Sequence, residues 1–221
     1  MPQIIGLLLL SWLLVWLFDR NNLSVLGFKL TKKRLKLMAL LFIVTAICCA
    51  TTYLMKAYFL KEKYILNFWI NANTILHGVW QTFRGVITEE LLCRGVLLYI
   101  LIKKVKIKWA NIISSIAFGL LHWLNTGVFG NIVLMSTIFA FTFTMGLLLA
   151  YAYIKTGSIL IPIAIHFGWN LTQSFIFPDP IEGFHIFILA EQPPTVTVSY
   201  FVFFLLMIFP KASAIGFNYL I

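Results

Sequence analysis

Two adjacent acids and an arginine sit in the apolar run ITEELLCRGVLLYILI, residues 87–102, of a chain with only seven acidic residues in 221. On a helix Glu90 and Arg94 are four residues apart and share a face, so they can pair. Glu89 is turned about 100° from Glu90 and cannot use that arginine as easily. One acid is then held structurally, and the other can face a cavity. A second polar group, Phe118 and His122, interrupts AFGLLHW, and a third, His166 and Asn170, interrupts IAIHFGWNLTQ. His166 and Asn170 also stand four apart, so one helical face carries an imidazole and a carboxamide together.

A carboxylate and two imidazoles can activate water or bind a divalent metal such as zinc. Without metal, Glu or His takes a proton from water, which then attacks a carbonyl. Asn and the second His can donate hydrogen bonds to the oxyanion that forms. With zinc held by Glu89, His122 and His166, the metal would polarise the carbonyl and acidify the water. Either way the set suits amide hydrolysis. A structural alternative is a buried ion pair and an interhelical polar pair that lock helix packing.

The elements that position these groups are membrane helices. Hydrophobic residues make up 61% of the chain and charged residues 11%, with mean hydropathy +0.95. That composition cannot cover a water-facing surface, so the chain is expected to be an all-α polytopic membrane protein. Apolar runs predict a bundle of about seven transmembrane helices around a polar intramembrane site. They lie near Ile4–Phe18, Leu37–Leu60, Val79–Ile102, Trp109–Leu124, Asn131–Ile154, Ile159–Phe177 and Thr197–Leu220. A partial or interfacial helix is expected between Ile65 and Val79, and Asp19–Lys36 and Pro178–Pro194 read as the longest loops. The first span lacks the basic start and small-residue cleavage site of a secretory signal, so it reads as retained. The organisation divides into N-terminal helices (1–64), a catalytic core (65–180), and an outer loop with the last helix (181–221).

The net charge of +10 lies in short clusters between apolar runs and not in a stripe suited to nucleic acid. Lys and Arg gather in Asp19–Lys36, in KKVKIK (103–108) and at Lys155. Alternating spans put these on one side, which the positive-inside rule makes cytoplasmic. The N-terminus is then outside and the C-terminus inside. Cys48, Cys49 and Cys93 lie in apolar runs without a CxxC pair, which argues against disulfides and a cysteine zinc site. His77 reads as interfacial, His185 as a surface or packing residue, and Arg84 as a candidate at the cavity mouth. Counting about 1.5 Å per residue from the cytoplasmic lysines, Glu89 and His122 lie about 21 Å deep and His166 about 16 Å. Three helices thus bring acid, imidazole and imidazole–amide to similar depth.

Other intramembrane proteases do not match. HExxH is absent, the only aspartates are Asp19 at a span edge and Asp179 in a loop, and TGSI does not fit a rhomboid serine. Three motifs in order do match. EELLCRG resembles the EExxxR motif of the CAAX prenyl protease and bacteriocin-processing (CPBP, or Abi) family of intramembrane proteases. FGLLH resembles its FxxxH motif and HFGWN its HxxxN motif. The resemblance covers about Val79–Phe177, and Cys93 stands where relatives commonly have phenylalanine.

The resemblance implies an intramembrane endopeptidase. Glu89 would activate water with help from His122, and Glu90 would be the second acid, held by Arg94. His166 and Asn170 would stabilise the oxyanion, and Phe118 would pack beside the site. The substrate would be a membrane-associated peptide or protein, and the setting a prokaryotic plasma membrane. Metal dependence stays open, because the same side chains serve both mechanisms. The competing readings are a non-catalytic scaffold or bacteriocin-immunity protein, and a transporter.

Overall fold

The computed structural model describes residues 2–177, 185–191 and 194–219. It is an all-α membrane protein with one small sheet. The helices are α1 (Pro2–Asp19), α2 (Lys32–Phe59), α3 (Ala72–Glu90), α4 (Leu98–Lys104), α5 (Ile107–Leu121), α6 (Ile132–Thr156), α7 (Leu160–Leu171) and α8 (Tyr200–Asn218). Of these, α2, α6 and α8 are long and apolar enough to cross a membrane by length and composition. A π-helical turn, Leu91–Leu97, runs without a break from α3 into α4, and a second, Thr172–Ile176, extends α7. Such turns insert a residue into the helical repeat and re-aim the side chains around them.

The interfacial helix expected before Val79 is not a separate element. After the short strand β1 (Tyr64–Leu66), α3 starts at Ala72 and is continuous through Val79. Asn71 caps it by accepting the Thr74 N–H at 2.9 Å, a start signal inside the polar NANT tract. The loop expected over Pro178–Pro194 contains a strand, β2 (Phe187–Leu189), while residues 178–184, with Asp179, and 192–193 lie outside the described residues. The strands pair antiparallel, Tyr64 opposite Leu189 and Leu66 opposite Phe187. Three-residue strands are too short to show an alternating pattern, so nothing in the sequence marked them.

The chain forms two compact units. The first comprises Met1–Leu37 and Ile87–Ile163. In it α5 lies close along α6, because a Cβ on Gly146 would come within 3.0 Å of the Ser115 Cα. Trp123 Nε1 donates to the Met135 carbonyl at 2.9 Å, and Asn111 to the Leu147 carbonyl at 3.3 Å. At the end of α1, Asp19 bonds Lys103 at 2.5 Å and accepts from the Tyr99 hydroxyl. Lys103, then Tyr99 and Asn21, pull the Asp19 carboxyl down to about 2. This clasp ties the foot of α1 to α4.

The second unit comprises Met38–Val86 and Ala164–Leu220. Here α7 approaches α2 so closely that a Cβ on Gly168 would lie 2.5 Å from the Phe42 carbonyl oxygen. Asn218 of α8 donates to Thr45 of α2 at 3.3 Å. Tyr53 stacks on Phe177 at 4.3 Å and donates its hydroxyl to the Gln173 carbonyl at 3.2 Å. Lys63 and Glu191 pair at 2.8 Å beside the sheet, which lowers the Glu191 pKa and raises that of Lys63.

Between α1 and α2, a 3-10 turn (Leu23–Leu26) ends at Gly27, whose φ is 73°. The Gly27 carbonyl accepts from Ser158 Oγ at 2.6 Å and Arg34 Nη1 at 3.1 Å, while Ile159 N–H reaches the Leu26 carbonyl at 2.9 Å. A Cβ there would stand 2.0 Å from the Gly157 carbonyl oxygen. Gly27→Ala is therefore expected to lose about 1–3 kcal/mol of stability, read as a lowered thermal midpoint in detergent.

Candidate active site

Glu89 and Glu90 occupy different environments. Glu90 is fully buried and accepts from Arg94 Nη1 at 2.9 Å, both side chains being 0% exposed. The spacing expected on a regular helix survives, although Arg94 lies in the π turn. The Arg94 guanidinium rests over the Phe118 ring, 4.0 Å from its centroid. Planar and weakly hydrated, guanidinium suits this place between a carboxylate and an aromatic face better than ammonium would. Phe118 itself meets the His122 ring edge-on at 4.7 Å.

Glu89 is part-exposed and turns towards α5. Its Oε2 lies 3.8 Å from His122 Nε2. His122 ends α5, and its Nδ1 contacts the Phe118 carbonyl at 2.8 Å. A carbonyl only accepts, so Nδ1 carries a proton and Nε2 is the ring nitrogen turned towards Glu89. At 3.8 Å the two groups are too far for a direct hydrogen bond. One water bridging them, about 2.8 Å from each, would be held at an angle of roughly 85°.

His166 and Asn170 stand in the second unit, on α7. Their side chains meet at 3.0 Å between Asn170 Nδ2 and His166 Nε2, the i, i+4 pairing expected from HFGWN. An amide nitrogen donates, so Nε2 accepts and the neutral ring carries its proton on Nδ1. Gly168, between them in the motif, gives α7 its close approach to α2. Each of the three motif groups is thus locally assembled: Glu90–Arg94–Phe118, Glu89–His122 and His166–Asn170.

A catalytic zinc uses three protein ligands. Among the described residues no three His, Cys, Asp or Glu side chains gather in a way that could hold a metal ion.

The remaining histidines make local contacts of their own. His77 is exposed and contacts Gln81 at 3.2 Å, and His185 is buried, with its carbonyl accepting from Asn67 at 3.2 Å. Arg84 is half-buried on α3. Two polar residues escaped the sequence reading. Lys211 sits inside α8, bonds the Met207 carbonyl at 3.3 Å and lies 5.6 Å from the Trp169 ring centroid. A lone lysine in an apolar span was the available signal. Ser114 is fully buried and donates to the Cys93 carbonyl at 3.0 Å. A serine in a membrane helix carries no comparable signal, because its hydroxyl can bond its own helix.

The fold and these pairs define an all-α membrane protein with acid, imidazole and carboxamide groups set into its helices. A family model for type II CAAX prenyl endopeptidase Rce1-like proteins matches residues 71–172, which include all three motifs. That stretch is similar to the Rce1-like family, in agreement with the resemblance read from EELLCRG, FGLLH and HFGWN. No curated protein and no solved structure matches the chain.

Removing one partner of a buried ion pair strands the other in a low-dielectric interior. Arg94→Ala is therefore expected to cost about 3–5 kcal/mol and to lower the yield of folded protein in membranes. Thermal unfolding of the purified variant measures the loss, and a wild-type midpoint would break the assignment.

Proposed function

We propose that the protein is an intramembrane endopeptidase that hydrolyses a peptide bond with water activated by Glu89 and His122. The observation that carries this reading is the 3.8 Å separation of Glu89 Oε2 and His122 Nε2, with His122 Nδ1 tied to the Phe118 carbonyl. Two acceptors at that distance can draw both hydrogens of one water and leave its oxygen lone pairs facing outward. As the water attacks the scissile carbonyl, Glu89 takes its proton, and His122 supports the transfer. The protonated acid then returns the proton to the leaving amine. Glu90 stays out of the chemistry, neutralising Arg94 and fixing the turn that carries Glu89.

His166 and Asn170 supply donors of the kind a tetrahedral oxyanion requires, an imidazole N–H and a carboxamide. Their mutual bond holds both in one orientation, so little reorganisation is needed when charge develops. The substrate is a membrane-associated peptide or protein. In support, the first unit contains an apolar groove of about 580 Å³ walled by α1, the π turn, α4 and α5. Its lining includes Leu91, next to Glu90, and Leu121, next to His122. An apolar segment of substrate could rest there without exposing polar backbone to lipid.

Glu89→Gln and His122→Ala are each expected to abolish cleavage, by at least about 100-fold, while leaving folded protein in the membrane. Mass spectrometry of new peptide termini in cells expressing wild type or variant reads this directly. Wild-type turnover by either variant would sink the mechanism.

The basic connections face the cytoplasm in this reading, with the N-terminus outside and the C-terminus inside. Single cysteines in 124–130 are then labelled by an impermeant reagent in intact cells, and those in 103–108 only after permeabilisation. The reverse pattern overturns the orientation.

A further inference from the structure

α5 meets the motif helix through three contacts that lie on one stripe of α5. Ser114, Phe118 and His122 are spaced by four residues, so they project along the same face. Ser114 Oγ donates to the Cys93 carbonyl at 3.0 Å, Phe118 lies under the Arg94 guanidinium, and His122 stands opposite Glu89.

Cys93 lies within the π turn. Its carbonyl already accepts the Leu98 N–H, five residues on, so the Ser114 hydroxyl fills its second lone pair. Ser114 and Cys93 are 0% and 1% exposed, which keeps water from taking that place. A π turn is a strained insertion in a helix that would otherwise relax to regular α geometry. Relaxation removes the extra residue from the repeat and rotates everything before it, Glu89 included, relative to α5.

We propose that Ser114 is a positioning residue: its hydroxyl pins the π turn through the Cys93 carbonyl and so sets the separation of Glu89 from His122. It touches neither water nor substrate. The inference rests on the peptidase reading for its consequence in turnover, but the pin itself is independent of any substrate. Ser115 is the internal control. It is equally buried, yet its hydroxyl bonds only within α5, to the Asn111 carbonyl at 2.7 Å and the Asn111 side chain at 3.1 Å.

The test compares Ser114→Ala, Ser114→Thr and Ser115→Ala in the full-length protein in lipid nanodiscs. Two quantities are measured: steady-state cleavage of a substrate found by the terminus comparison, and amide hydrogen exchange of peptides spanning 91–98. Ser114→Ala is expected to lower kcat about tenfold or more with KM unchanged, because a small misplacement of reacting groups is felt in the chemical step. Exchange across 91–98 is expected to quicken in the same variant. Ser114→Thr, which keeps the hydroxyl, should restore both, and Ser115→Ala should move neither. Wild-type kcat and exchange in Ser114→Ala overturn the proposal, as does an equal loss in Ser115→Ala. If wild type cleaves nothing, the peptidase reading fails by itself. Quickened exchange confined to Ser114→Ala then still upholds the pin, and unchanged exchange overturns it.

Discussion

The ion pair between Glu90 and Arg94 is the constraint on which the surrounding structure depends. Both side chains are wholly buried, and the protein must compensate two charges removed from water. Part of the compensation is mutual, through the 2.9 Å hydrogen bond. Part comes from Phe118, whose ring covers the guanidinium at 4.0 Å. An arginine so placed cannot move without exposing a charge to hydrocarbon. It therefore fixes the azimuth of the motif helix and, through Phe118, the position of α5. His122 is one helical turn beyond Phe118 and inherits that position.

The two adjacent acids consequently divide two tasks. Glu90 is spent on holding the helices, and Glu89 is left on the part-exposed side facing an imidazole. Consecutive residues on a helix point about 100° apart, so adjacency is an economical way to aim one acid into protein and the other into a site. The π turn refines the aim. It begins at Leu91, immediately after the acids, and the other π turn begins at Thr172, just after Asn170. In both places a motif-bearing helix departs from regular geometry immediately after its motif residues.

The close approaches elsewhere serve the same end. Gly168 lets α7 press on α2 in the middle of the HFGWN motif, and Gly146 lets α6 press on α5 beside Ser115. Membrane helices gain no hydrophobic drive from one another in lipid, so small residues and polar bonds across helices provide the packing. Asn218 to Thr45 and Trp123 to Met135 are bonds of this kind. They hold the motif-bearing helices without adding charge.

Much of this was legible in the residues themselves. An apolar composition with long, non-alternating apolar runs points to membrane helices, because lipid admits only helices and closed barrels and barrel strands alternate. The pairing of Glu90 with Arg94 and of His166 with Asn170 followed from four-residue spacing alone, a local geometry that tertiary contacts did not alter. The approach of Glu89 to His122 could be anticipated only as similar depth. Their 3.8 Å separation depends on how α5 packs against the motif helix. The π turns, the β1–β2 pairing and the bond from Ser114 to Cys93 were not legible, and the reason is common to them. Each is a local departure from regular structure that is stable only when a distant segment supplies a partner, and sequence periodicity reports the regular structure, not the partner.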